Sequence, residues 1–259
     1  MRFLTFLTLI TCISCASANK PDTCLPVPET DNLTEGLVAH YPFNGNANDV
    51  SGNNNHGVVH GAVLTKDRNN IENNAYYFDG NLSYIDIGNS PKIKRYQNDF
   101  TTSGWIRLES FCPTYNTIIL SNRNPSTVEP SGSMVGVGGL KSSLAKQIEF
   151  IKNATPTNDN FTYDYLGSGK GIQLNKWTHF AITYKYNNET ANTVTIYIDG
   201  ELQASKTMGA TLDPLLCNTF IGCEPSLSPI EYSLNGYLDE IRLYDRVLSA
   251  SEITKLYQQ

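Results

Sequence analysis

Short segments rich in β-branched and aromatic residues alternate with polar turns from residue 36 to the end of the chain, and this pattern constrains the fold most strongly. Glycine, asparagine and proline occupy the turns, as they do in all-β sandwiches, whereas alternating βαβ units would show helical periodicity between the strands. In 193–198, Val and Ile alternate with Thr and Tyr, which is typical of a strand with one buried face. The sequence therefore predicts two packed antiparallel sheets.

One helix is predicted after the strands. Ser249 and Glu252 form a capping box, in which the serine hydroxyl accepts from the third helical amide and the glutamate reaches back to the cap. Ile253, Leu256 and Tyr257 give the segment an apolar stripe, so we expect a short C-terminal helix that packs on a sheet. The strands predicted before it are 37–43, 58–64, 75–78, 84–88, 100–108, 116–120, 133–137, 147–151, 177–186, 193–199, 219–222 and 237–244.

Residues 1–18 resemble a cleaved secretory signal. Arg2 gives a positive start, 3–13 is a short apolar run, and Ala16 and Ala18 have the size that signal peptidase accepts near its cleavage site. The run is shorter than the ~20 apolar residues that a membrane-spanning helix needs. We therefore predict a signal peptide at 1–18 and a secreted protein.

A lipoprotein is the alternative interpretation of this N-terminus. Cys15 would then carry the lipid and anchor the protein at the cell surface. Such a signal favours an aliphatic residue three positions before that cysteine, where this chain has Cys12. Beyond the signal, the sequence offers no segment that is long and apolar enough to span a membrane.

The rest of the chain is predicted to form a short arm and one domain. Residues 19–35 contain Pro21, Pro26 and Pro28 and lack apolar periodicity, so we interpret them as a linker or N-terminal arm. Residues 36–259 fit one β domain, since sandwiches and barrels reach about 200–250 residues undivided. The net charge of −6 and isoelectric point of about 5.2, without a basic cluster, disfavour nucleic acid and anionic membranes as partners.

Four cysteines remain after removal of the signal, namely Cys24, Cys112, Cys217 and Cys223. An even number in an exported chain indicates two disulfides. A strand at 219–222 would separate Cys217 from Cys223 by about 20 Å, whereas disulfide-bonded Cα atoms lie within ~7 Å. We therefore expect Cys217 and Cys223 to pair with Cys24 and Cys112, in either order.

Three parts of the chain together resemble the laminin-G-like and pentraxin-related jelly rolls. They are 41–52 (YPFNGNANDVSG) with 78–80 (FDG) and 84–87 (YIDI), then 100–106 (FTTSGWI) with 177–184 (WTHFAITY) and 197–202 (YIDGEL), and finally 234–249 (LNGYLDEIRLYDRVLS). They occur in the family's order across 36–259. The resemblance implies a concanavalin A-like jelly-roll β-sandwich of two antiparallel sheets with one short C-terminal helix. It also implies a module that binds an extracellular glycan or glycoprotein.

Two features of pentraxins are not shared. Ser103 and Ala181 stand at the positions that correspond to the pentraxin disulfide between two central strands. The acidic run that holds paired calcium ions in pentraxins corresponds here to Glu224, after which Pro225 and Ser226 stand where further oxygen ligands are expected. The broader laminin-G-like group is therefore the better comparison.

The loop at 44–49 is the predicted calcium site. Calcium takes about six to eight oxygen ligands from carboxylates, Asn side chains and backbone carbonyls, and Asn44, Asn46 and Asp49 offer such oxygens. Related jelly rolls hold a structural calcium between this loop and the last strand, so the resemblance implies Asp239 as a further ligand. The alternative is an Asn/Gly turn network without metal, in which Asp239 accepts hydrogen bonds from backbone amides.

Aromatic and asparagine side chains indicate packing, ligand binding and modification. We expect Trp105 and Trp177 to pack in the core, and the loop tyrosines Tyr115, Tyr163 and Tyr165 to be available for stacking on sugar rings. Asn-x-Ser/Thr sequons would be surface glycan acceptors in a eukaryotic secretory pathway, although an asparagine-rich chain also produces them by chance. They begin at Asn32, Asn81, Asn153, Asn160 and Asn188.

Catalytic signals are scarce in the sequence. It lacks the His-Glu-x-x-His, Gly-x-Ser-x-Gly and phosphate-binding glycine motifs. Glycosidases on related jelly rolls place alternating acidic residues on one strand, but 147–151 offers only Glu149, and Asp239 and Glu240 would point to opposite faces of a regular strand. We therefore predict a non-catalytic recognition module. The alternatives are a glycan-cleaving enzyme whose acid pair comes from loops, and an adhesion or coat protein that assembles with itself.

Overall fold

The computed structural model describes residues 32–93, 98–123, 132–153, 163–188, 191–209, 217–225 and 232–259. Within these residues, fifteen strands form two antiparallel sheets, and one helix follows the last strand. The strands are β1 (Leu37–Tyr41), β2 (Val58–His60), β3 (Val63–Thr65), β4 (Ala75–Asp79), β5 (Tyr84–Asp86), β6 (Phe100–Leu108), β7 (Asn116–Ser121), β8 (Ser133–Gly138), β9 (Gln147–Asn153), β10 (Tyr163–Gly171), β11 (Thr178–Tyr186), β12 (Asn192–Ile198), β13 (Glu201–Met208), β14 (Phe220–Ile221) and β15 (Asn235–Tyr244), and the helix is α1 (Ala250–Gln258). The predicted all-β sandwich with a short C-terminal helix is confirmed.

The two sheets combine local hairpins with long-range strand pairs. Sheet A has eight strands in the order β13-β12-β11-β6-β15-β4-β3, and β1 also pairs with β15. Sheet B has seven strands in the order β10-β9-β8-β7-β14-β5-β2. The single strand predicted at 58–64 is two strands, because the chain passes from sheet B to sheet A at Gly61, whose φ is 73°. Glycine adopts such a positive φ without the strain of a side chain.

Alternation along the strands fills the space between the sheets with apolar side chains. In β12, Val194, Ile196 and Ile198 are buried in this core, and in β9 Ile148 and Phe150 face it from the other sheet. The residues between them on each strand face outward. The core is therefore formed by the inner faces of both sheets, and each sheet keeps an outer face on which loops and the helix can lie.

Strand β15 contains a β-bulge in its middle. The register of its pairing with β6 shifts between Asp239 and Arg242, and Glu240 has a φ of 54°. Leu238 and Ile241 both belong to the core, so Glu240 is the additional residue that interrupts the alternation. The prediction that Asp239 and Glu240 point to opposite faces is therefore wrong, because that prediction assumed a regular strand.

The prediction that Trp105 and Trp177 lie in the core is also wrong. Both are half-buried on the outer face of sheet A, since Ile106, the neighbour of Trp105 on β6, takes the core position. The Trp105 ring stacks on Tyr257 of helix α1 with centroids 5.6 Å apart. The Trp177 ring makes an edge contact with Tyr237 at 6.2 Å. These rings cover the outside of the sheet and do not fill the space between the sheets.

Helix α1 packs on the outer face of sheet A through a second, smaller apolar cluster. Leu248, Ile253 and Leu256 contact Ala181 and Tyr244 in this cluster. Within the part of the chain that the structure describes, no helix has the length and apolarity needed to cross a membrane. The capping box is present as predicted: the amide of Glu252 donates to the Ser249 hydroxyl at 3.2 Å, and the amide of Ser249 donates to the Glu252 carboxylate at 2.8 Å.

We expect Ser249→Ala to lower the free energy of unfolding by about 1 kcal/mol, because the Glu252 amide loses its acceptor at the first turn of the helix. Urea denaturation followed by tryptophan fluorescence measures this, since Trp105 contacts the helix. Ser249→Asp is the matched control, as aspartate also caps a helix and should retain most of the stability. Equal losses in both variants would contradict the capping role.

Candidate functional site

The outer face of sheet B carries a pocket of about 430 Å³. Strands β9 and β10 form its floor, and the segments that flank β7 and β8 form its walls. The residues that matter most for its chemistry are Tyr115, Asn116, Arg123, Glu149, Tyr165 and Tyr232. A larger pocket of about 510 Å³ lies at the end of β11 near Lys92 and Asp99, but the smaller pocket combines exposed aromatic rings with a buried carboxyl. It is the better candidate for a binding site.

The position of Glu149 follows from the alternation of β9. Ile148 and Phe150 point into the core, so Glu149 points to the outer face and into the pocket. Its cross-strand neighbours are Gly136 on β8 and Gly167 on β10. Neither glycine has a side chain, and the side chain of Leu144, which lines the same pocket, lies against Gly167.

Three tyrosines form the walls of the pocket. The rings of Tyr115 and Tyr232 are stacked, with centroids 6.0 Å apart and an interplanar angle of 12°. Tyr165 lies opposite Ile151 on the neighbouring strand. Tyr115 is 53% exposed and Tyr165 is 45% exposed, and the Lys206 ammonium lies over the Tyr165 ring, 5.8 Å from its centroid. Two of the three tyrosines that the sequence singled out therefore meet at one pocket, while the side chain of Tyr163 lies outside what the structure describes.

Glu149 is the carboxyl group at the floor of this pocket, and it is only 1% exposed. With its amide nitrogen facing β9, the Asn116 side chain donates to Glu149 Oε1 at 3.0 Å. Burial raises the pKa of Glu149 to about 8. Removal from water disfavours the ionised form, and the protonated acid therefore predominates at neutral pH.

The acidic residues of β15 are used within the protein. Asp239 forms an ion pair with Arg68, whose guanidinium also lies over the Trp105 ring. Glu240 accepts from Arg242 at 2.8 Å and lies 2.7 Å from His40 Nε2. Burial raises the pKa of Asp239 to about 7, and the Arg68 guanidinium opposes this rise. These groups form a network of paired charges on the outside of sheet A.

The loop predicted to bind calcium is held by Asp49. One carboxylate oxygen of Asp49 accepts from the amides of His40 and Ser51 at 2.9 and 2.8 Å, and the other accepts from the Asn55 amide at 3.0 Å and the Ser51 hydroxyl at 2.9 Å. Burial alone would raise the pKa of Asp49, but these hydrogen bonds hold it below its usual value. The carboxylate therefore organises the loop through backbone amides.

Two of the other predicted calcium ligands are asparagines of the same loop. Asn44 and Asn46 are exposed, and the Asn46 side chain accepts from the Asn48 amide at 2.8 Å. Within the described residues, no cluster of three or more His, Cys, Asp or Glu side chains is arranged to hold a metal. Asp239, the further predicted ligand on β15, is paired with Arg68 through one carboxylate oxygen. The calcium site stays a prediction.

The predicted disulfides and glycans also stay predictions. Cys24 lies outside the described residues, and no disulfide joins two of Cys112, Cys217 and Cys223. The Cys217 thiol donates to the Asn122 carbonyl at 3.3 Å. Of the sequons, those at Asn32, Asn81 and Asn188 are exposed, Asn160 lies outside the described residues, and the side chain of Asn153 is not described.

The sequence of this chain matches the laminin-G model that is described as the concanavalin A-like lectin/glucanases superfamily, over residues 78–254. That is more than half of the chain. The chain belongs to the concanavalin A-like lectin/glucanases superfamily. Both the predicted laminin-G-like resemblance and the predicted jelly-roll class are confirmed. No curated protein has a significantly similar sequence.

Solved structures of the same superfamily fold share low sequence identity with this chain. One is domain 4 of AbnA, a GH43 extracellular arabinanase from Geobacillus stearothermophilus, in complex with arabinotriose, with a TM-score of 0.63, 20% identity, and coverage of 86% of this chain and 98% of that domain. Another is the binding domain of Paraclostridial Mosquitocidal Protein 1, with a TM-score of 0.64, 20% identity, and coverage of 87% and 52%. A third is the botulinum neurotoxin serotype G binding domain, with a TM-score of 0.60, 16% identity, and coverage of 86% of this chain and 50% of that domain. This chain spans about half the length of the two toxin binding domains.

The raised pKa of Glu149 predicts a specific dependence of stability on pH. Glutamate in an unfolded chain has a pKa near 4.3, so folding retains the Glu149 proton between about pH 4.3 and pH 8, and stability falls as the pH rises through this range. Glu149→Gln cannot ionise and should lose none of this stability. The free energy of unfolding of Glu149→Gln, relative to that of the wild type, should therefore increase by on the order of 4 kcal/mol from pH 4 to pH 8. Urea denaturation at each pH measures both values.

Glu201→Gln, which removes an exposed glutamate on β13, is the control for this comparison. It should differ from the wild type by the same amount at every pH. A Glu149→Gln variant that tracks the wild type from pH 4 to pH 8 would show that Glu149 is ionised in the folded protein.

Proposed function

We propose that this chain is a secreted, non-catalytic module that binds a glycan, free or carried on a glycoprotein, in the pocket on the outer face of sheet B. The observation that carries this proposal is the combination of partly exposed tyrosine rings with a buried carboxyl group and its amide partner in one pocket. Sugar rings present an apolar face that packs on aromatic rings, and hydroxyl groups at their edges that need donors and acceptors. Tyr115 and Tyr165 supply the rings, and Asn116 and Glu149 supply polar groups between them.

The dimensions and chemistry of the pocket suit a small number of sugar units. Ligand pockets typically have volumes of about 300–1,000 Å³, and the pocket of about 430 Å³ lies at the lower end of this range. The lining residues Ser142 and Ser143 add hydroxyl groups, and Arg123 adds guanidinium donors. The pocket therefore has both aromatic and polar lining residues. In such a site the aromatic rings contribute affinity, and the polar groups fix the orientation of the ligand.

The solved structures support a binding role without specifying a ligand. Domain 4 of the arabinanase was solved with arabinotriose, and the two toxin domains are named as binding domains. At sequence identities of 20% or below, these structural similarities show a shared fold and do not identify a ligand. The proposal for this chain therefore depends on its own pocket.

A glycan-cleaving enzyme is the second candidate, because a buried carboxylic acid with a raised pKa has the protonation state of a general acid. Glycoside hydrolysis canonically needs two carboxyl groups about 5–10 Å apart. Among the described residues that line the pocket, Glu149 is the only one with a carboxyl group. That composition favours binding over cleavage.

Binding to an array of neutral and acidic oligosaccharides, arabinotriose among them, tests the proposal. Tyr115→Ala and Tyr165→Ala should each weaken binding of the recognised glycan by roughly tenfold, equivalent to about 1.4 kcal/mol, because each removes one stacking surface. Isothermal titration calorimetry measures the affinities. Reducing-sugar release assayed on the same glycans should stay at background.

Tyr257→Ala is the matched control, since Tyr257 is a partly exposed tyrosine on helix α1 at the opposite sheet. It should leave glycan affinity unchanged. Equal weakening in all three variants would indicate loss of folding, and unchanged affinity in both pocket variants would place the glycan elsewhere. Release of reducing sugar that disappears in Glu149→Gln would establish the enzyme in place of the binding module.

We further propose that calcium binds between the loop at 44–49 and β15, as the family resemblance implies. Binding to the folded state alone stabilises by RT ln(1 + [L]/Kd), about 2.7 kcal/mol at a hundredfold excess over Kd. Calcium should raise the melting temperature of chelator-treated protein, and Asp239→Asn should abolish the increase. Asp164→Asn, which alters an ion pair with Lys206 on the other side of the sandwich, should retain it. A melting temperature indifferent to calcium and chelator would exclude the site.

A further inference from the structure

Glu149 has an unusual environment for a carboxyl group in a binding pocket. Its side chain is almost fully removed from solvent, yet it lines a pocket that opens to the outside. Among the described residues, the Asn116 amide donates to this carboxyl at Oε1. The flanking residues Gly136 and Gly167 have no side chains that could donate to it.

The groups that face Glu149 from the surrounding elements are nearly all uncharged. Strands β8 and β10 contribute glycines beside it, and β7 contributes the Asn116 amide. The titratable or charged groups on the pocket walls are the phenols of Tyr115, Tyr165 and Tyr232 and the guanidinium of Arg123. Burial is what raises the pKa of Glu149, and the acid form requires no neighbouring anion.

We propose that Glu149 binds the glycan as a neutral carboxylic acid, donating its hydroxyl hydrogen to a ligand oxygen while Asn116 holds its carbonyl oxygen. This inference rests on the proposed function. It identifies the Glu149 carboxyl as a group that recognises the ligand, and its protonated form as the state that binds. A carboxylic acid is both donor and acceptor, whereas a carboxylate only accepts. Loss of the proton therefore removes the donor that the ligand oxygen uses.

Ionisation of Glu149 would also leave a negative charge in a site from which the bound ligand excludes water. An uncompensated buried charge is costly, and an acceptor oxygen of the ligand would then face another acceptor. Ligand binding and proton binding should therefore favour each other. By linkage, the pKa of Glu149 rises further when the glycan is bound.

The experiment measures the affinity of the strongest neutral oligosaccharide on the array from pH 5.5 to pH 9.5 by calorimetry. A neutral oligosaccharide has no titratable group in this range, so the pH dependence belongs to the protein. The wild type should bind with constant affinity below pH 7 and weaken by up to tenfold for each pH unit above the pKa of Glu149. Glu149→Gln keeps an amide donor and should bind two- to fivefold more weakly at pH 6, with an affinity that no longer falls at high pH. Glu149→Met has a similar length and no donor, and it should lose binding at least tenfold at every pH.

These variants separate Glu149 from the other titratable groups, because Glu149→Gln retains all three tyrosines and Arg123. A fall in affinity at high pH that persists in Glu149→Gln would assign the titration to one of those groups and overturn the inference. If the affinity of the wild type is constant or rises up to pH 9.5 while Tyr115→Ala still weakens binding, the inference is overturned and the proposed function is retained. A chain that binds no glycan at any pH would refute both.

Discussion

The fold depends on the hydrogen bonding of β15, which pairs with three other strands. β6 follows one edge of β15, while β1 and β4 share the other: β1 pairs with 241–244, and β4 pairs with 235–238. The bulge at Glu240 lies at the junction where β1 gives way to β4. Because β1 and β15 stand at opposite ends of the domain in sequence, their pairing is a long-range contact that closes most of the domain into one loop.

The junction of β1, β4 and β15 also explains why the acidic residues there are paired with cations. The bulge places Asp239 and Glu240 among the outer-face groups of sheet A, where Asp239 is almost fully buried. A buried carboxylate without a partner is strongly destabilising, so the guanidiniums of Arg68 and Arg242 are needed at this point. His40 on β1 joins the same network and connects the loop organised by Asp49 to β15. The charged side chains of β15 thus connect this strand to neighbouring parts of the domain through ion pairs.

The sequence predicted the strands whose apolar residues alternate, and it missed those that lack this signal. β13 (Glu201–Met208) is an edge strand with mostly exposed residues, and β10 (Tyr163–Gly171) is an edge strand interrupted by Gly167 and Gly169. Neither has a buried face that imposes periodicity 2. The faces of Trp105 and Trp177 were misplaced for a different reason. On β6 the core residues Phe100, Ile106 and Leu108 share one parity, which places Trp105 on the opposite face, so the alternation outweighs the size of the aromatic ring.

The candidate pocket could be predicted only in pieces. Alternation on β9 places Glu149 on an outer face, and Tyr115 and Tyr165 were recognised as available aromatic rings, but nothing local brings them to one place. Tyr232 and the unrecognised strand β10 complete the enclosure, and both depend on how distant segments pack. The tyrosines that offer stacking surfaces line the same pocket as Glu149, whose carboxyl is buried. An exposed glutamate at this position of sheet B would ionise and act as an ordinary acceptor. The raised pKa of Glu149 therefore depends on the long-range packing that buries its carboxyl, and no local sequence pattern reveals that packing.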